Sequence, residues 1–270
     1  MNYEIIGLDI FSLLFIMMSY SFMGWAYESS IYSLVEQRKF MNRGYFLGPY
    51  CPIYSVVSIT SLYLLQDINS SLKIVIIGAM TCCVIEYVTS YVLEKLFNAR
   101  YWDYSEYPLN INGRVSLISS IFFGLAVLLL VKIVHPFMLD VVGKMSINMR
   151  VVAGTLSLAI FLIDFIVTTV SMMNLNKKCK DIYTYIDNYV DEKFEKMTDK
   201  TKERKRFLEE NFKFEKKTDI QVNFAGLTKR FKENETHFLR AFPTFKSTKY
   251  SDLVEKIRAV YKNKRIKKEE

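Results

Sequence analysis

The chain has 270 residues, 51% of them hydrophobic and 15% aromatic, with a formal net charge of +8. Its apolar runs exclude a wholly soluble globular protein. No charged residue stands between Asp9 and Glu28, between Arg43 and Asp67, or between Arg114 and Lys132.

A bilayer-spanning helix needs roughly 17–25 largely apolar residues. In chain order, such segments fall at about 8–33, 51–66, 73–97, 115–137 and 150–175, the third interrupted by Glu86 and the fifth by Asp164. The expected fold class is all-α: a polytopic membrane protein with about five transmembrane helices and a helical cytoplasmic tail. The transmembrane domain takes residues 1–176 and a basic, mostly helical tail takes 177–270. The first basic residue is Arg38, so the charged start of a cleavable signal is missing and the first helix is expected to stay as an anchor.

Charge is divided unevenly. Residues 1–176 hold 10 Lys/Arg and 11 Asp/Glu, whereas residues 177–270 hold 26 and 17. The positive-inside rule then puts the tail in the cytoplasm and the N-terminus, with Glu4 and Asp9, outside. Arg38, Lys39 and Arg43 after the first span, and Lys95, Arg100 and Arg114 after the third, agree with that orientation. Lys132, Lys144 and Arg150 around the fourth connection count against it.

Three acids lie inside the spans. Glu28, Glu86 and Asp164 each fall within about eleven residues of the expected end of a helix running the same way, within roughly 17 Å of that end at 1.5 Å per residue. Carboxylates at such depth face the bundle interior or water and need a proton, a cation or a pairing partner. They are read as a binding site for a proton, an ion or a cationic solute. The alternative is a structural network with Tyr, Ser and Thr neighbours such as Tyr87, Thr89 and Thr168.

The loop after the first span runs Asn42-Arg43-Gly44-Tyr45-Phe46-Leu47-Gly48-Pro49-Tyr50-Cys51-Pro52-Ile53-Tyr54. Pro49 and Pro52 forbid a regular helix across them, and irregular backbone at membrane depth must be buried in protein or line a wet cavity. The loop after the third span carries Trp102-Asp103-Tyr104-Ser105 and Asn110-Ile111-Asn112-Gly113-Arg114. Its aromatic residues suit a membrane interface.

At these residues the sequence resembles the bacterial membrane proteins catalogued as putative ABC-transporter permeases, type IV (CmpB-like). The matching pieces are Gly24-Trp25 with Glu28, Asn42 through Tyr54, Glu86-Tyr87, Leu93 through Phe97, Trp102 through Ser105, and Asn110 with Gly113-Arg114. Ser120 with Gly124 and the tail segment Phe238 through Pro243 complete the set. The resemblance implies a permease component of a bacterial cell membrane and a separate ATPase subunit as partner. The chain itself lacks the Gly-x-x-x-x-Gly-Lys-Ser/Thr phosphate loop, so it is not the ATPase.

From Leu175 onward, Leu175, Cys179, Ile182, Ile186, Phe194 and Met197 recur at helical spacing, continuing the fifth span as an amphipathic helix. Asp252 and Glu255 read as a capping box. The runs Lys202–Arg206 and Lys262–Lys268 suit anionic lipid, and no nucleic-acid-binding signature accompanies them. Cys51, Cys82, Cys83 and Cys179 are read as small buried hydrophobes. His135 and His237 stand alone, so neither metal nor cofactor is expected.

The leading expectation is a permease component moving a small solute or ion through a polar site drawn from Glu28, Glu86 and Asp164 with Arg43, Asp103 and Arg114. One alternative is a membrane-embedded enzyme acting on a lipid-linked or phosphorylated substrate, although no catalytic motif is present. Another is a scaffold whose tail recruits a partner.

Overall fold

The computed structural model describes residues 7–33, 41–197, 231–242, 245–247, 253–255 and 257–258. Glu4, Arg38, Lys39, the capping residue Asp252 and both basic runs of the tail lie outside the described residues.

Helix α1 (Ile10–Ala26) begins where Asp9 accepts bonds from the N–H groups of Phe11 and Ser12, at 3.1 and 3.0 Å. These satisfy two of the donors that a helix start leaves unpaired. The helix then widens into a π-helical stretch, Tyr27–Tyr32. Pro52 opens α2 (Pro52–Leu65) at a position where its missing N–H costs nothing. Helix α3 (Ser71–Phe97) stops at Asn98, which takes the left-handed conformation. Three short strands follow: β1 (Ala99–Arg100), β2 (Asn110–Ile111) and β3 (Val115–Ser116), the last two forming an antiparallel hairpin. Helix α4 (Leu117–Leu129) is capped by Ser116 and passes through a π-helical stretch into α5 (His135–Lys144). Helix α6 runs unbroken from Ile147 to Met197. In the tail, α7 (Glu233–Ala241) precedes β4 (Lys246–Ser247), which pairs antiparallel with β1.

Among the described residues, four helical stretches are long and apolar enough to cross a membrane: Ile10–Ser30, Ser71–Phe97, Leu117–Lys144 and Ile147–Tyr185. The fourth expected span therefore continues past residue 137 to Lys144. The fifth crossing is different. Helix α2 has 14 residues, about 21 Å of helix against a hydrocarbon core of about 30 Å. The missing length comes from the loop before it. The Cys51 N–H donates to the carbonyl of Ser21 at 2.9 Å, and Ser21 is midway along α1 and its π-helical extension. The Asn42–Cys51 loop thus folds back into the bundle, where its irregular backbone is largely buried in protein. From that depth α2 carries the chain back toward the start of α1, where Leu62 packs with Leu8, Ile16 and Tyr20.

The packing is inside-out. Large apolar side chains such as Met80, Val84 and Val88 on α3, and Ile160, Ile163 and Ile166 on α6, are exposed. Ser12, Ser21, Ser58, Ser61, Thr81 and Ser157 are buried between helices. Lipid solvates the first group, and small residues let helices approach closely in the second. Gly24 gives the clearest case: a Cβ there would run into the Tyr54 ring, so α1 and α2 can meet only at glycine.

The largest apolar cluster sits at the far end of the bundle and joins it to the tail. Phe97, Ala99, Tyr101, Met172, Leu175, Cys179 and Ile182 pack with Phe231, Phe238, Leu239, Phe245, Leu253, Val254 and Ile257. Burial of Leu175, Cys179 and Ile182 on one face of α6 matches the amphipathic pattern. The side chains of Ile186, Phe194 and Met197 lie outside the described residues.

Candidate functional site

The π-helical stretch after α1 adds a residue to the turn and re-aims what it carries, a geometry frequent at functional sites. It carries Glu28. Ser33 Oγ donates to the Glu28 carbonyl at 2.7 Å, and Ser29 Oγ accepts the Arg43 N–H at 3.0 Å. The returning loop is therefore stitched to this stretch. Trp25 Nε1 donates to Asn42 Oδ1 at 2.6 Å, so the motif residues Trp25 and Asn42 hold the loop where it leaves α1.

The Glu28 carboxylate receives two partners from that loop and from α2. Tyr54 Oη donates to Oε1 at 2.7 Å, and Arg43 Nε lies 3.7 Å from Oε2. On the other side stands Glu86 of α3, whose Oε1 accepts from Tyr104 Oη at 3.1 Å. Its second oxygen, Oε2, is buried with no hydrogen-bond partner among the described residues. Glu28 is close enough to act electrostatically on both Glu86 and Tyr54, and Tyr104 on Tyr54. Two carboxyls and two phenols, drawn from the π-helical stretch, α2, α3 and the loop after β1, thus form one polar cluster in the bundle. An unpaired carboxyl oxygen in such surroundings is costly. It is also where a proton or a cation would be held.

Asp164 has a separate environment. It accepts from the N–H groups of Leu47 and Gly48 at 3.3 and 2.7 Å, from Tyr50 Oη at 2.6 Å and from Thr168 Oγ1 at 2.6 Å. The carboxylate satisfies backbone that Gly48 and Pro49 prevent from becoming helical. A Cβ at Gly48 would meet Asp164 Oδ2 at 2.9 Å, so glycine is what lets the backbone come this close. Gly44, at φ 125°, makes the bend before it next to Cys51.

The remaining expected site residues are also drawn to separate partners. Arg114 pairs with Glu94 Oε2 at 2.8 Å and donates to Ser90 Oγ at 3.1 Å, and its carbonyl accepts from Trp102 Nε1 at 2.9 Å. Asp103 accepts from Ser105 N and Oγ at 3.1 and 2.5 Å and pairs with Lys246 of the tail at 2.8 Å. Burial alone would raise the Asp103 carboxyl, but the Lys246 and Ser105 bonds outweigh it and hold the group at about 2. Gly113, at φ 67°, closes the loop where a side chain would strike Ser105 Oγ.

Sequence reasoning missed the tail's part. His237 Nε2 donates to the Gly44 carbonyl at 3.1 Å, so the tail touches the returning loop directly. Glu235 is buried against Lys178 at 2.7 Å. Tyr101 is ringed edge-on by Phe238, Phe242 and Phe245. The aromatic spacing around Phe238–Leu239–Arg240–Ala241–Phe242 was the available signal. The other histidine, His135, bonds Tyr20 Oη at 2.7 Å. No group of three or more metal-ligating side chains occurs among the described residues.

An inside-out bundle with acids between its helices and irregular backbone folded into its interior defines an integral, multi-pass membrane protein. The chain belongs to the family described as putative ABC-transporter type IV, whose profile matches residues 14–169. Its apolar helices and its family together make it a membrane protein related to transport. The matched range takes in Glu28, Glu86, Asp164 and both motif loops, and it ends before α7 and the Phe238–Pro243 segment. No curated protein and no solved structure matches the chain.

Proposed function

We propose that this chain is the permease component of a transport system and passes a small cation or a proton through the Glu28–Glu86 cluster. The observation that carries the reading is the buried Glu86 Oε2, which has no protein donor among the described residues and lies beside a second carboxyl. Tyr54 and Arg43 hold Glu28, leaving Glu86 as the group that gains or loses a ligand. Asp164 supports the site by fixing the returning loop. A separate ATPase subunit supplies energy, the tail end of the bundle faces the cytoplasm, and the basic runs of the tail meet anionic lipid.

The test is ligand-dependent stability of the purified full chain. Its melting temperature should rise with at least one member of a panel of small inorganic and organic cations, or shift with pH. The response should vanish in Glu86→Gln and in Glu28→Gln, which keep shape and hydrogen bonding. An equal response in wild type and both variants overturns the proposal.

A further inference from the structure

A second charged cluster lies at the end of α3, away from the Glu28–Glu86 site. Arg100 and Arg114 gather there around one acid, and Lys95 lies near the Tyr91 ring that Arg114 also approaches. Arg100 Nε and Arg114 Nη2 both reach the same Glu94 oxygen, Oε2, each at 2.8 Å. The Lys95 ammonium and the Arg114 guanidinium each lie 5.5 Å from the Tyr91 ring centre. The next acid, Asp103, is already paired with Lys246. A ring face attracts a cation without neutralising it, so among the described residues one paired carboxylate stands with three cations and the cluster keeps surplus positive charge.

Position decides what that charge meets. Helix α3 has 27 residues, about 40 Å of helix against a hydrocarbon core of about 30 Å. Its last turn, with Glu94 and Lys95, therefore stands among lipid headgroups, with exposed Val88 and Val92 earlier on the same helix toward the acyl chains. The β2–β3 hairpin stands beside it. Arg100 Nη1 donates to the Asn112 carbonyl at 3.4 Å, and Asn112 Nδ2 donates to Tyr87 Oη at 3.0 Å. Just before this anchor, Leu109 and Ile111 are 74% and 58% exposed. Apolar side chains at a loop tip need lipid, and the adjacent cations need an anion.

We infer that Lys95, Arg100 and Arg114, with the Leu109–Ile111 hairpin tip, form a headgroup site for an anionic phospholipid. The Arg100 guanidinium and the Lys95 ammonium bind the phosphate oxygens, the buried Arg114 adds its charge from behind while held by Glu94 and Ser90, and Leu109 and Ile111 lie against the glycerol and upper acyl chain. A free phosphate offers the same charge but leaves the apolar tip without a partner.

The experiment is native mass spectrometry of the full chain in neutral detergent, titrated with phosphatidylglycerol, phosphatidylcholine or inorganic phosphate. Phosphatidylglycerol should be retained preferentially, with affinity falling about fivefold for each charge removed in Lys95→Gln and Arg100→Gln. Arg100→Lys, which keeps the charge, should retain most of the binding. Lys144→Gln, at the other end of the bundle, should be silent. Equal retention of phosphatidylcholine overturns the site, as does displacement of the lipid by equimolar inorganic phosphate. Unchanged phosphatidylglycerol binding in Lys95→Gln/Arg100→Gln, in protein of wild-type melting temperature, overturns it too.

Discussion

Lys246 Nζ lies 2.8 Å from Asp103 Oδ2, and Asp103 directly precedes Tyr104, whose hydroxyl reaches Glu86. The tail is thereby joined to the polar cluster through one loop residue. Asp103 is held at about 2, below its ordinary 3.8, because the Lys246 and Ser105 bonds favour the charged form more than burial opposes it. A depressed carboxylate stabilises the fold above its ordinary value, and that contribution is lost as pH falls through the folded one. The Asp103 contribution to tail protection from protease should therefore be constant from neutral pH down to about 4 and be lost between about 4 and 2. Asp103→Asn should lower protection at neutral pH and remove this acid-dependent step, read by limited proteolysis with an acid-tolerant protease.

His237 gives the tail a second, higher transition. Its pKa lies below the ordinary 6.5, chiefly through burial, with the nearby Arg240 charge adding to the effect, while the Gly44 and Phe46 backbone and Asp164 oppose it. The undocked tail then binds a proton more readily than the docked one. Docking is fully favoured above about 6.5 and weakens as pH falls toward the folded value. Hydrogen exchange across residues 233–241 should accelerate over that interval. His237→Gln, which cannot titrate, should flatten the dependence. An unchanged profile in His237→Gln would remove the histidine from the account.

Gly24→Ala places a methyl group against the Tyr54 ring. Overpacking of a tight contact costs about 1–3 kcal/mol, and here it also pushes Tyr54 off Glu28. The expected result is a lower melting temperature together with loss of the cation response at the cluster. Gly143→Ala, with open space around it, is the control and should change neither.

Asp164→Ala strips the acceptor from two backbone N–H groups and two hydroxyls. Each buried donor left unpaired costs about 1–3 kcal/mol, so the variant should fold poorly and give little protein in the membrane. Asp164→Asn keeps one acceptor and should recover part of the yield, with the cation response intact in the folded fraction. Normal yield of Asp164→Ala, measured by quantitative blot of membranes, would contradict the anchoring role.

The apolar spans were legible because runs of such length have few uses outside a bilayer. Glu28 and Glu86 could be singled out because a lone acid in such a run is expensive. What the sequence concealed depends on partners far along the chain. The return of the Asn42–Cys51 loop is fixed by Asp164, more than a hundred residues later. Pro49 and Pro52 announce irregular backbone there, but nothing local names the residue that holds it. The π-helical stretch at Tyr27–Tyr32 has no breaker residue to announce it. Placement within the spans grouped Asp164 with the two glutamates, but depth along a helix says nothing about direction around it. Asp164 therefore meets the loop while Glu28 and Glu86 meet each other's surroundings. Docking of α7 was hidden for a similar reason: an amphipathic face is readable, its partner is not.

The central claim is that Glu28 and Glu86 carry a proton or small cation through the bundle. Flux into proteoliposomes containing the full chain tests it most directly, read with a lumenal pH dye and with a panel of small cations. If transport requires energy, the ATPase partner is co-reconstituted with ATP. The account predicts wild-type flux well above that of empty liposomes. It also predicts that Glu28→Gln and Glu86→Gln fall to the empty-liposome level while keeping wild-type melting temperature and reconstitution yield. Wild-type flux in both folded variants would contradict it.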